Sequence, residues 1–189
     1  HADFDFVVLD LEHGPNTIAT LPNLIRAAEL AGILPIVRIP EDGDTLINRV
    51  LDLGAGGVQI PHVTTPDDVR AVLDHARFHP KGQRGVCRYV RAAGYSKTEK
   101  QDYFRQANEA VIILQIEGRT GLDNIDAILD VGGFDILFVG PYDLSQSLGV
   151  PGQIDHPQVT AAVRKIAAKC ARRRIAAGTF SDTADQSRA

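Results

Sequence analysis

Short apolar runs rich in Val, Ile and Leu alternate along the chain with longer stretches whose apolar residues recur at helical spacing. That alternation predicts parallel βαβ units. Six runs read as strands, at residues 6–11, 35–39, 57–61, 110–117, 136–140 and 175–180. Helical patterns fill residues 20–31, 45–54, 66–76, 122–131 and 157–174. Thr65-Pro66-Asp67-Asp68 carries the start signals of a helix: a capping hydroxyl, a proline in the first turn and acids at the positive end of the dipole. Gly32 and Gly54 each follow a helical pattern, where a left-handed C-terminal residue is expected. The strands are apolar at nearly every position, so both of their faces should be covered, as in a closed barrel or a doubly wound sheet.

The polar residues choose between those two folds. Strands end on their C-terminal side in Asp10-Leu11-Glu12-His13, Arg38, Gln59 with His62, Gln115-Ile116-Glu117 and Gly140-Pro141-Tyr142-Asp143. In a TIM barrel such ends converge on one mouth, where active sites of that fold are built, whereas an open sheet shares only a crevice. Convergence favours the (β/α)8 barrel, read as a single domain over residues 1–189. The fold needs eight strands and about 250 residues, so the expectation is a barrel short of a unit at each end. The longest irregular stretch, residues 78–94, is arginine-rich and too long for a routine loop, and is expected to be functional or interfacial.

Composition narrows the function classes. Of 189 residues, 44% are hydrophobic and 23% charged, and no apolar run approaches the ~20 residues that span a bilayer. A membrane partner is not expected. The net charge is −4, and the single basic run, Arg172-Arg173-Arg174, reads as a solvated helix end, so nucleic acid is not expected either. Cys87 and Cys170 stand in different segments with no ligand-spaced neighbour, and read as reduced thiols of a cytoplasmic protein.

The strand ends hold the candidate chemistry. Glu117 and Asp143 terminate consecutive strands, and two carboxylates completed by water suit a hard divalent cation such as magnesium or manganese. A metal-free acid/base pair, or two helix caps, are the competing readings. Arg38 ends an apolar run, where it could hold the carboxylate or enolate oxygen of a small anion, or simply pair with a nearby acid. His13 follows two acids, and Asp10 or Asp52 could orient it as a general base; a surface role is the alternative. His62, His75, His79 and His156 read as surface or loop residues. Residues 140–145 form a strand-to-helix turn whose free amides could bind a small carboxylate or phosphate, and the motif is too short to identify which. No lysine falls at a strand end, which disfavours chemistry through a Schiff base.

Taken together, FVVLDLEHGPN, PIVRIP, LDLGAGGVQIPHV, PKGQRGV, ILQIEGRTGLDNID and FVGPYDLSQSLGVPGQIDHP resemble the HpcH/HpaI aldolases over nearly the whole chain. The resemblance implies a TIM (β/α)8 barrel of the phosphoenolpyruvate/pyruvate type, lacking here its first strand and its last strand and helix. It implies a class II aldolase that cleaves or forms 4-hydroxy-2-oxo acids from pyruvate and an aldehyde through a pyruvate enolate. Oxaloacetate decarboxylation or citrate-lyase-like cleavage at the same site, and an inactive fragment or binding scaffold, are the alternatives. Position by position, Glu117 and Asp143 would bind the divalent metal (Mg, Mn or Co), and Arg38 would stabilise the enolate. His13, supported by Asp10 and Asp52, would serve acid/base chemistry. Gln115, Gly140, Pro141, Tyr142 and Asp143 would contact the substrate, and the assembly would be a hexamer or trimer. Tyr142 stands where a familiar member has alanine, which implies a narrower pocket and a different acceptor aldehyde.

Overall fold

Strand β1 (Phe6–Asp10), helix α1 (Leu21–Leu30), β2 (Leu34–Arg38), α2 (Asp44–Asp52), β3 (Gly57–Ile60) and α3 (Pro66–Ala76) open the chain. They are followed by α4 (Lys100–Ala107), β4 (Val111–Ile116), α5 (Arg119–Asp123), α6 (Ile125–Val131), β5 (Ile136–Val139), α7 (Pro141–Ser147), α8 (Pro157–Arg173) and β6 (Ala176–Thr179). The structure is a computed structural model and describes residues 4–41 and 43–183. It is an α/β fold in which neighbouring strands run parallel. Two compact units share the chain, one made of the residues up to Ile60 with Arg70–Ile112, the other of Pro61–Val69 with the residues from Ile113 onward.

In the first unit β1 pairs with β2 from Phe6↔Leu34 to Asp10↔Arg38, and β2 pairs with β3 from Ile36↔Gly57 to Arg38↔Gln59. Asp10, Arg38 and Gln59 therefore form one row across three strand ends. The start of β4 joins through the Val111 amide, which donates to the Gly56 carbonyl at 3.0 Å. Helix α1 buries Leu21, Ile25 and Ala28, one turn apart on one face. It ends as its glycine predicts: Gly32 has φ 72°, its amide donates to Glu29, and the Ile33 amide donates to Ala28. Helix α2 closes the same way through Gly54 and Ala55, onto Leu51 and Val50.

Residues 78–94 have little regular structure, and their arginines tie them down. Arg84, buried, donates to Asn48 and Asp52 and lies 4.7 Å over the Phe78 ring. Arg88 donates to the Ser96 and Thr98 carbonyls, and Arg91 to Glu29 and the Leu53 carbonyl. Side chains thus replace the backbone ladder that this segment lacks.

In the second unit β4 pairs with β5 from Ile113↔Ile136 to Ile116↔Val139, and β5 with β6 from Ile136↔Ala176 to Val139↔Thr179. One helix was expected over residues 122–131; two occur, broken at Asn124, whose side chain donates to the Thr64 carbonyl at 2.9 Å. The Thr64 and Thr65 amides donate to the Asp68 carboxylate and the Asp68 amide donates to Thr65 Oγ1, closing the expected cap of α3. Lys169 and Arg173 of α8 pair with Asp126 of α6.

The expectation of two covered faces holds for β2, β3 and β4 but not for β1 and β6, whose side chains are largely exposed. Each of those two has one strand neighbour among the described residues, so one edge and much of its faces lack cover. No helix among the described residues is long and apolar enough to cross a membrane. Cys87 and Cys170 are unpaired thiols, one exposed and one buried.

Candidate active site

In the first unit the strand register dictates the contact. Because Asp10 and Arg38 end adjacent strands opposite each other, the guanidinium meets the carboxylate fork to fork, Nε to Oδ1 at 2.8 Å and Nη2 to Oδ2 at 2.6 Å. Its Nη1 lies 3.2 Å from Glu12 Oε2, so two carboxylates flank one buried arginine. Asp10 also accepts the amides of Glu12 and His13, which curls the loop after β1 around it. Burial alone would raise the Asp10 carboxyl, but its bond to Arg38, the amides and the arginine charge outweigh that and hold it below the usual range.

His13 is not oriented as the spacing suggested. Its ring Nε2 lies 3.9 Å from Glu12, its side chain is 69% exposed, and Asp10 reaches only its backbone amide. Asp52 is committed elsewhere, to Arg84 at 2.7 Å. The physical reason is position: Asp52 is the last residue of α2 and so lies beside β3's entry, where Arg84 takes it up.

In the second unit Glu117 follows β4 directly and is buried, with 4% of its surface exposed. Its Oε1 accepts the His62 amide at 2.8 Å and lies 3.2 Å from His62 Nδ1. Its Oε2 accepts from Gln115 Nε2. None of these donors is a lysine or an arginine. Gly140 is what makes room: a Cβ there would stand 2.6 Å from Glu117 Oε2 and 3.2 Å from Gln115 Nε2. Gly140 is held by its amide, which donates to the Ile116 carbonyl at 3.1 Å, and its own carbonyl accepts the Leu144 amide as α7 begins. Pro141, buried, and Tyr142 and Asp143, exposed, make the first turn of α7. The Tyr142 hydroxyl donates to Asp182, with both oxygens within 3.0 Å.

His62 was expected to be a surface or loop residue. It is a loop residue, but with φ 53° it presents two groups to the buried acid. Only its place two residues after β3 hinted at this.

A buried carboxylate with no lysine or arginine among its donors has room for further positive charge. Glu117 therefore fits a metal ligand. Among the described residues no group of three or more His, Cys, Asp and Glu side chains is placed to close around an ion. That donor set suits a hard cation completed by water and substrate better than an all-protein zinc site.

Parallel βα alternation with its acids and its arginine at the C-terminal strand ends defines an α/β protein of the kind that builds sites there. The family model for HpcH/HpaI aldolase/citrate lyase matches residues 1–189, and the chain belongs to that family. A 2-keto-3-deoxy-L-rhamnonate aldolase from Escherichia coli O17:K52:H18 is 43% identical over 158 residues, 82% of this chain and 58% of that one. The protein of the same name from Salmonella gallinarum is 41% identical over 177 residues, 93% of this chain and 64% of that one. The chain thus spans less than two thirds of the length of these relatives. A crystal structure of an HpcH/HpaI aldolase/citrate lyase family protein from Burkholderia cenocepacia J2315 is similar with a TM-score of 0.91 and 35% identity, covering 100% of this chain and 75% of that one.

Proposed function

We propose that this chain carries the pyruvate-handling part of a divalent-metal-dependent carbon–carbon lyase, built on a (β/α)8 barrel, that cleaves 4-hydroxy-2-oxo acids into pyruvate and an aldehyde. The observation that carries the reading is Glu117, a buried carboxylate fixed by His62 and Gln115 with no lysine or arginine among those donors. Family membership and the likeness to the 2-keto-3-deoxy-L-rhamnonate aldolases support a sugar-derived hydroxy-keto acid as substrate.

In this reading Glu117 and Asp143 hold the cation, which supplies the electrophile that spreads the charge developing on the keto acid when the C–C bond breaks. Gln115 and Gly140 set the carboxylate of Glu117, the one by a donor and the other by leaving space. The first-turn amides of Tyr142 and Asp143, which have no partner inside their helix, would receive the substrate carboxylate. Arg38 would offset negative charge on an enolate oxygen, its fork pre-set by Asp10 and Glu12 so that little is reorganised during reaction. His13, exposed on the loop after β1, would exchange the proton of the aldol hydroxyl. A homo-oligomer in the cytoplasm completes the proposal.

The test is release of pyruvate from a panel of 4-hydroxy-2-oxo acids before and after chelation. Activity should vanish with chelator and return with magnesium, manganese or cobalt, and Glu117→Ala should not be rescued. Release that ignores the chelator would sink the reading.

A further inference from the structure

Glu117 has about four acceptor sites on its two oxygens. Oε1 faces two groups of one residue, the His62 amide at 2.8 Å and the His62 Nδ1 at 3.2 Å. Oε2 takes the Gln115 side chain, and it is the oxygen that Gly140 leaves uncrowded. We propose that His62 is a positioning residue for Glu117: its amide donates to Oε1 at 2.8 Å and its ring Nδ1 stands 3.2 Å from the same oxygen, so that Oε1 is held towards His62 and Oε2 is the oxygen offered to a cation. The inference rests on the reading of Glu117 as a metal ligand.

Three observations converge on it. First, His62 stands at φ 53°, a backbone region that side-chain-bearing residues enter sparingly and that persists only where the surroundings hold it. Second, that conformation is what lets one residue turn both its amide and its ring to the same oxygen. Third, the loop is anchored on either side of the contact. The Val63 amide donates to the Gln115 carbonyl at 3.1 Å, and the Thr64 carbonyl takes the Asn124 side chain. The loop after β3 and the end of β4 are thereby fixed to each other, and His62 lies where they meet.

The role has a chemical consequence. A carboxylate whose Oε1 is turned to His62 would meet an ion through Oε2. One-point contact leaves more of the coordination sphere to water and substrate, as a cation that must accept a chelating keto acid requires. Hydrogen bonds to a ligating side chain from its surroundings typically govern metal affinity by about 10–100-fold.

Two substitutions separate the ring's contribution from the backbone's. His62→Asn keeps a polar side chain near the place of Nδ1 and tolerates a positive φ, whereas His62→Gly keeps the amide and removes the ring. Manganese(II) binding to the full chain is measured by calorimetry and by the electron paramagnetic resonance of the free ion, alongside thermal unfolding. His62→Asn should bind manganese within about threefold of the parent, and His62→Gly about tenfold or more weakly with an unfolding midpoint no lower than the parent's. Glycine binding manganese as tightly as the parent, or asparagine weakening as much as glycine, would overturn the role. Glu117→Ala is the separate control: if it leaves manganese affinity unchanged, Glu117 is not a ligand and the functional reading fails first.

Discussion

Asp10 and Arg38 face each other in register on neighbouring strands, and the guanidinium donates to both carboxylate oxygens at 2.8 and 2.6 Å. The pair ties the direction of the arginine to the charge of the acid. Its pH dependence follows with a definite sign. Asp10 titrates below its ordinary value when folded, so its stabilisation is present above the ordinary carboxyl range and is lost as pH falls through the lowered folded value. We expect Asp10→Asn to cost about 1–2 kcal/mol at neutral pH, at the low end because the pair is partly solvated. The difference from the parent should shrink towards zero in acid, and urea unfolding at pH 7 and pH 3 measures it. A gap that widens in acid would contradict the assignment.

Gly140→Ala should act on Glu117 without touching any charge. The added methyl would come within 2.6 Å of Oε2 and 3.0 Å of the Glu117 Cβ, so the acid must move or the start of α7 must. Overpacking of this kind costs about 1–3 kcal/mol. Manganese affinity should fall about tenfold or more, and calorimetry on the purified variant decides. Unchanged affinity would mean that Glu117 is free to shift, against the tight setting described above.

Asp52 offers a choice between two roles. Its partner is Arg84, which is itself buried and shared with Asn48. If Asp52 serves that segment, Asp52→Asn lowers stability by about 1–3 kcal/mol and leaves the pH profile of pyruvate release unmoved. A displaced profile with unaltered stability would instead return Asp52 to the proton chemistry.

Strand positions were legible because β2, β3 and β4 are apolar on both faces, so their boundaries differ from expectation by a residue or so. Helix α3 was legible from Thr65 and Asp68, whose bonds are local. Helix α4 was not: it buries only Tyr103, and its one start signal is Glu99, an unusual capping residue whose side chain accepts the Gln101 and Asp102 amides. The break between α5 and α6 depends on Asn124 reaching Thr64, sixty positions away in the chain, and no local pattern encodes it. The candidate site divides the same way. Glu117, Arg38 and Asp10 announce themselves as charges at the ends of apolar runs. His62 and Gly140 matter only through what lies beside them in space, and the partner of Asp52 is Arg84, thirty-two positions further on, which no local pattern encodes.

The Tyr142–Asp182 contact has a bearing on how such a protein changes over time. Both side chains are exposed, their bond joins the first turn of α7 to the segment after β6, and exposed polar pairs contribute little to folding. Gly140 two positions earlier permits no side chain without disturbing Glu117. Tolerance to mutation therefore rises sharply within one turn of α7. Residue 142 can be exchanged while the acid beneath is preserved, a local arrangement through which descendants could try new partners for the same reaction without first having to regain stability.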